Sequence, residues 1–247
     1  MAAATDLRIR TVAPAAADPA RISVIIPALN EAASLPLTLA ALQGLRQRGH
    51  EVILVDGGSS DDTVEVSRSL VDSVLPAARG RAVQMRAGAD IARGDVFWFL
   101  HADTRAPEHA DRLIGAALQD TGIQWGRFDV QLSEQRVSLR VVGNLMNTRS
   151  RLSGIATGDQ GIFVRRTLYT AVGGFPQQPL MEDIALSRIL RRHGRPAIIR
   201  QRLHSSPRRW EQHGVTRTIL LMWGLRLAYF TGVAPDRLAR FYRLHQP

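Results

Sequence analysis

Carboxylates stand at the ends of apolar runs in this chain. Val52-Ile53-Leu54-Val55 ends in Asp56, Val96-Phe97-Trp98-Phe99-Leu100 ends in His101-Ala102-Asp103, and Ile22 to Ile26 ends in Pro27-Ala28-Leu29-Asn30-Glu31. Short apolar runs bounded by polar turns read as buried strands. Open α/β sheets bind ligands beyond the carboxyl ends of such strands. A nucleotide could be held there by carboxylates and backbone groups, with a metal neutralising its phosphates. Asp103 also has a plainer reading, as the cap of a helix announced by Pro107 and Glu108. Farther on, Glu182-Asp183 opens a helical stretch, where two acids either complement the helix dipole or act chemically. Arg208 and Arg209 offer planar forks that suit phosphate oxygens.

The elements that must position these groups follow from the pattern of the chain. Residues 1–20 are rich in Ala and Pro without an apolar core, which predicts a disordered leader rather than a signal peptide. After the Ile22 strand, Asn30 reads as the N-cap of a helix through Leu45, ended by Gly49. Gly57-Gly58-Ser59-Ser60 turns the chain after Asp56, and Asp61 or Asp62 can cap the next helix. Val71 to Leu75 predicts a weaker strand, and Arg79 to Arg93 a basic loop and helix leading into the Asp95 strand. This alternation predicts a mostly parallel, doubly wound sheet that gathers the three strand ends on one edge. In the second half, Trp125 to Leu132 reads as a strand and Val137 to Leu152 as a helix. Thr157-Gly158-Asp159-Gln160-Gly161 is a tight polar turn before the strand Ile162-Phe163-Val164. A helix then runs from Glu182 to His193.

Composition closes off several chemistries. The chain has no cysteine, hence no disulfide framework, thiolate nucleophile or Cys-based zinc site. All 32 basic residues are Arg, a bias for which GC-rich coding suffices, and it excludes a P-loop or Schiff-base lysine. No G-x-G-x-x-G follows the first strand, which disfavours a dinucleotide-dependent oxidoreductase. The net charge of +10 is concentrated at the end: Leu186 to Pro247 holds 13 Arg against Glu211 and Asp236. Such a region points to phosphates, whether of a diphosphate substrate, a lipid headgroup or nucleic acid. Ile219 to Ala234 is apolar but broken by Arg226, too short and too charged for a transmembrane span. It suits a helix buried on the protein's own core or one lying in a membrane interface.

Taken in order, I-S-V-I-I-P-A-L-N-E at 22–31, V-D-G-G-S-S-D-D-T at 55–63, A-R-G-D-V at 92–96, F-L-H-A-D-T at 99–104 and M-E-D-I-A-L at 181–186 resemble family 2 glycosyltransferases of the GT-A fold. The likeness is strongest to a bacterial subgroup marked by F-L-H-A-D-T, G-D-Q-G-I-F-V-R-R and R-R-W-E. The resemblance implies an α/β, Rossmann-like central sheet flanked by helices. It implies a transferase domain over 21–210 and a helical extension over 211–247, packed on the domain or membrane-associated. The implied reaction is inverting transfer of a sugar from a nucleotide-diphosphate-sugar to an acceptor hydroxyl. Pro27, Ala28, Leu29, Glu31, Asp56 and Ala102 would line the donor pocket. Asp103 would anchor Mn²⁺ or Mg²⁺, with His204 a further candidate ligand. Asp183, beside Glu182, would be the catalytic base, and Arg208, Arg209 and Trp210 would meet the diphosphate.

The sequence departs from the family pattern in three places. His101 replaces the first acid of D-x-D, Gly57 the second acid of V-D-D-G-S, and Ser206 the Gln of Q-x-x-R-W. The last departure argues against processive polymer synthesis. The expected setting is the cytoplasm or the inner face of the cell membrane, with a lipid-linked acceptor in view and no nucleic acid. A nucleotidyltransferase acting on a sugar phosphate, or a non-catalytic binding module for membrane or nucleic acid, is the competing reading.

Overall fold

The computed structural model describes residues 20–132 and 136–245. The leader expected over residues 1–20 therefore lies, apart from Ala20, outside the described residues. Eight strands form one sheet: β1 (Ile22–Ala28), β2 (Glu51–Asp56), β3 (Ser73–Pro76), β4 (Val96–Phe99), β5 (Thr104–Arg105), β6 (Trp125–Gln131), β7 (Phe163–Arg165) and β8 (Ala197–Ser205). Among the described residues eleven α-helices accompany them: α1 (Leu35–Ala40), α2 (Gln43–Gln47), α3 (Thr63–Ser67), α4 (Arg81–Ile91), α5 (Ala110–Ala117), α6 (Val137–Ser153), α7 (Arg166–Ala171), α8 (Glu182–Leu190), α9 (Arg208–His213), α10 (Val215–Phe230) and α11 (Pro235–His245).

The spatial order is β3-β2-β1-β4-β7-β6-β8-β5. The β3-β2-β1-β4 half is parallel throughout. Beyond it β7 runs antiparallel to both β4 and β6, while β6 and β8 pair in parallel. The sheet is thus the expected α/β platform, parallel where the strand ends converge and mixed beyond.

Alternation along β1, β2 and β4 explains why their apolar runs are continuous. Val24, Ile26, Val52, Leu54, Val96 and Trp98 face one core with α1 and α2, while Ile25, Ile53, Val55, Phe97 and Phe99 face the other with α4 and α7. A strand buried on both faces has no polar positions to spare. Helix α4 lies so close that a Cβ on Gly88 would stand 2.5 Å from Ile25 Cγ2. That close approach requires glycine.

The expected single helix from Asn30 to Leu45 is corrected by the structure. Asn30 is left-handed at φ 54°, and helix begins only at Leu35, with Pro36 in its first turn, and is split into α1 and α2. The intervening residues form a loop held from β2's side, described below.

One partly buried cluster on this platform is expected to make stability depend on pH. Asp111 takes Arg48 Nε at 2.6 Å and Nη2 at 2.8 Å, with His50 Nε2 at 3.3 Å. His50 Nδ1 accepts the Ile22 amide at 3.1 Å, so Nε2 carries the proton and the ring is neutral. Burial pushes the His50 pKa down, despite Asp111. Below about pH 6.5 the unfolded imidazole gains a proton that the folded one resists, so stability falls as pH drops. Burial pulls the Asp111 carboxyl up, but its bonds to Arg48 outweigh that and hold it below the ordinary carboxylate range. Its contribution is present above about pH 3.9 and is lost as pH falls through the lower folded pKa. The melting temperature should fall from pH 7 to pH 5, and His50→Gln should flatten that decline. An equally steep decline in the variant would remove His50 from the account.

Candidate active site

The ends of β1 and β2 are joined by side chains of the V-D-G-G-S-S-D-D-T stretch. Ser59 Oγ accepts the Asn30 amide at 2.9 Å, Thr63 Oγ1 the Glu31 amide at 2.8 Å, and Asp61 Oδ2 the Ala32 amide at 3.2 Å. Asn30 Oδ1 in turn accepts the Ser60 amide at 2.8 Å. Those hydroxyls and carboxylates therefore satisfy loop amides that no strand partner meets. Asp61 also accepts the Thr63 amide at 3.1 Å, and Asp62, which occupies the cap position of α3, makes no side-chain cap bond. Asp56, almost fully buried, accepts the amides of Gly58 at 3.1 Å and Ser59 at 3.1 Å, which fixes its carboxylate at the strand end.

Gln84 of α4 explains the glycine at 57. Its Nε2 donates to Ala28 O and Val55 O, both at 2.8 Å, and a Cβ on Gly57 would come within 3.1 Å of its amide. The space that a second acid would use is filled by a side chain clamping β1 to β2.

At the end of β4, His101, Ala102 and Asp103 form the turn into β5. Ala102 is buried and its carbonyl accepts Thr38 Oγ1 at 2.9 Å. Asp103 is half-buried; its Oδ1 has Thr104 Oγ1 at 3.4 Å, and its carbonyl receives the Ser206 amide at 3.1 Å. His101 Nδ1 stands 3.3 Å from Asp159 Oδ1. Next to Asp159, the Gly158 amide donates to Asp183 Oδ2 at 2.7 Å. A Cβ on Gly158 would lie 2.4 Å from His101 Nε2. The G-D-Q-G turn is thus a wedge between the His101-Asp103 turn and the start of α8.

Helix α8 begins after Met181, itself left-handed at φ 63°. Asp183 Oδ1 accepts the Ile184 amide at 2.7 Å, so the carboxylate does serve the helix start while remaining half-buried rather than sealed. Glu182 is buried; burial and the neighbouring Asp183 raise its pKa above the ordinary carboxyl range. Sequence reasoning assigned no role to Asp159, although it lies within the quoted turn.

A cavity of about 840 Å³ opens beside this wedge. Its polar end is lined by Arg81, His101, Asp103, Asp159, Ser205 and Ser206. Its apolar end lies between α6 and α10, and Arg149 and Arg226 stand in its wall. The other expected site residues are distributed differently. Arg208 Nη2 is bound to both Glu31 oxygens, at 2.9 and 3.0 Å, so α9 is pinned to the β1 loop and a diphosphate would have to compete with Glu31 for that guanidinium. Trp210 lines the cavity and packs on the cluster of Val130, Leu139 and Met146. The side chain of Arg209 lies outside the described residues. His204 is paired with Arg105 and Gln131, on the face of β8 opposite Ser205, and is not part of the cavity wall.

Among the described residues no three His, Asp or Glu side chains converge as a metal cage. A single carboxylate at a cavity mouth fits an ion such as Mg²⁺, which keeps several waters and takes its other ligands from substrate phosphates. Asp103 meets that requirement. No helix of the described residues is long and apolar enough to cross a membrane.

Comparison with known proteins agrees with this architecture. Undecaprenyl-phosphate 4-deoxy-4-formamido-L-arabinose transferase of Aeromonas hydrophila is 40% identical over 103 residues, 36% of this chain and 31% of that protein. The enzyme of the same name from Photorhabdus laumondii is 33% identical over 150 residues, 55% of this chain and 45% of that protein. The chain thus spans less than half the length of these curated relatives. A crystal structure of Mycobacterium tuberculosis glucosyl-3-phosphoglycerate synthase with Mn²⁺, uridine diphosphate and glucosyl-3-phosphoglycerate superposes with a TM-score of 0.56 at 22% identity, covering 75% of this chain and 71% of that one. That likeness is one of fold, GT-A. Residues 23–167, more than half of the sequence, match the family described as Glycosyl transferase family 2, and the chain belongs to that family.

Proposed function

We propose that the chain moves a sugar from a nucleotide-diphosphate-sugar to an acceptor hydroxyl, with inversion and with the help of Mn²⁺ or Mg²⁺. The observation that carries this reading is the Gly158-Asp159 wedge: the Gly158 amide holds Asp183, and Asp159 meets His101, which lines one cavity together with Asp103 and Asp159. The loops around Pro27 to Glu31 and Asp56 hold the base and ribose. Asp103 would hold the divalent ion. A bound ion there supplies Lewis-acid neutralisation of the charge that develops on the leaving group. Asp183 takes the proton from the acceptor hydroxyl as its oxygen attacks the face of the sugar opposite the diphosphate. That displacement inverts the anomeric centre.

The transferase domain in this reading is 21–210, with 211–247 as its helical extension. The names of the relatives from Aeromonas and Photorhabdus, which contain undecaprenyl phosphate, support a lipid-linked acceptor. The test is calorimetry with uridine diphosphate, with and without Mn²⁺, on the wild type and Asp103→Asn. Metal should tighten binding by about tenfold or more in the wild type only. Unchanged metal dependence in Asp103→Asn would sink the metal assignment. Turnover of a nucleoside triphosphate with a sugar phosphate, and none of a nucleotide-sugar, would favour the nucleotidyltransferase instead.

A further inference from the structure

Arg149 of α6 and Arg226 of α10 face the same cavity from opposite helices. Arg149 Nε and Nη2 and Arg226 Nε are sealed from solvent and make no hydrogen bond among the described residues. Burial first, then the charge of Arg226, pushes the Arg149 pKa down to about 10. Arg226 is lowered by burial as well, while the charges of Asp183 and Asp159 pull both guanidiniums the other way. Two like charges brought together with unused donors destabilise the folded chain unless an anion joins them. Arginine stays charged at neutral pH, and its fork matches the oxygens of a phosphate.

Beyond the two arginines the cavity leads out between α6 and α10 over apolar side chains that water covers. Leu152, Trp223, Leu227 and Phe230 are 82%, 64%, 68% and 55% exposed, all in its wall. The inner side of α10 is anchored, with Ile219 packed on the β6–α6 cluster and Leu225 buried against Ile184 and Leu238. The outward row is therefore the exposed face of an anchored helix. Exposed apolar side chains continuous with a pocket mark a binding surface rather than ordinary scatter.

We propose that this cavity receives the phosphate ester of a long-chain alcohol, its phosphate between Arg149 and Arg226 and its chain along the α6–α10 groove. The site lies on the acceptor side of the transferase reading and rests on that reading only for its role, not for its binding. Charge complementarity chooses the head group, and the open apolar row chooses the tail. Neither inorganic phosphate nor a neutral alcohol satisfies both.

The test uses the full chain and three probes: farnesyl monophosphate, farnesol and inorganic phosphate. Trp210 and Trp223 in the wall report by fluorescence, since Trp98 and Trp125 are fully buried. Farnesyl monophosphate should bind about tenfold or more tightly than either fragment, and Arg149→Gln, Arg226→Gln and Leu227→Ser should each weaken it by about tenfold. Arg149→Gln should also melt no lower than the wild type, because it removes an unpaired buried charge; a structural arginine would do the opposite. Equal binding of inorganic phosphate would overturn the role of the groove, equal binding of farnesol that of the arginines, and binding of none of the three the whole site. Uridine diphosphate binding with Mn²⁺, measured on the same samples, separates the two readings. Loss of that binding with farnesyl monophosphate still bound would strike the transferase reading and leave this site standing.

Discussion

Asp183→Asn is expected to slow single-turnover sugar transfer by about 10²–10⁴-fold, the scale of a lost general base, with nucleotide affinity nearly unchanged. The substitution is nearly isosteric. It keeps one oxygen to accept either the Gly158 amide or the Ile184 amide, both now at 2.7 Å, and so preserves much of the wedge. What it removes is the lone pair and charge that can take a proton. A carboxylate serving only the helix start predicts a different outcome: a loss of about 0.3–1 kcal/mol in stability and an intact rate. The two are separated by rapid-quench transfer at saturating donor, alongside denaturant unfolding. The loss is expected for a hydroxyl acceptor, since a phosphate acceptor is already ionised and needs no base; with a hydroxyl acceptor, a full rate in a slightly less stable protein would assign Asp183 to structure. Glu182 is the control for proximity. It is buried, and burial first and then the charge of Asp183 raise its pKa, which favours its protonated form and leaves it poorly placed to act as a base.

The parts of this site that were legible in the sequence are those the backbone pattern dictates. Apolar runs at 22–26, 52–55 and 96–100 had to be doubly buried strands, and parallel pairing brings their carboxyl ends together. The Asn30 helix start failed because Asn also tolerates the left-handed region, and here its side chain is spent on the Ser60 amide across the gap to the β2 loop. Long-range side-chain bonds of this kind leave no periodic trace. Arg149 and Asp159 were missed for the same reason: the first looks like an ordinary helical arginine and the second like a turn residue. Only Arg226 carried a signal, a charge in the middle of an apolar helix. That signal separated a membrane span from other fates without disclosing that Arg149, 77 positions away, would face it.

A buried charge network fastens helix α6, which carries Arg149, to β6, and removing one side of it should destabilise the chain. Asp129 is nearly sealed and takes Arg127 and Arg151 together. Arg127 is wholly buried, with Nη1 also donating to Phe128 O at 3.1 Å while its Nε has no partner among the described residues. Burial pushes the Arg127 pKa down, and the hydrogen bond and charge of Asp129 oppose that shift. Next to it Asn147 bridges Val130 N and O, both at 2.9 Å. Asp129→Ala leaves Arg127 charged, dry and unpaired, and should cost about 3–5 kcal/mol in urea unfolding. The double variant Arg127→Met, Asp129→Leu removes both charges and should recover most of that loss, since apolar side chains of similar volume often replace a buried ion pair without penalty. Arg151 would then lose its partner too, but it is 41% exposed and water can take over. A single variant within 1 kcal/mol of the wild type would mean that water reaches Arg127. A double variant as unstable as the single one would place the cost in packing rather than in charge.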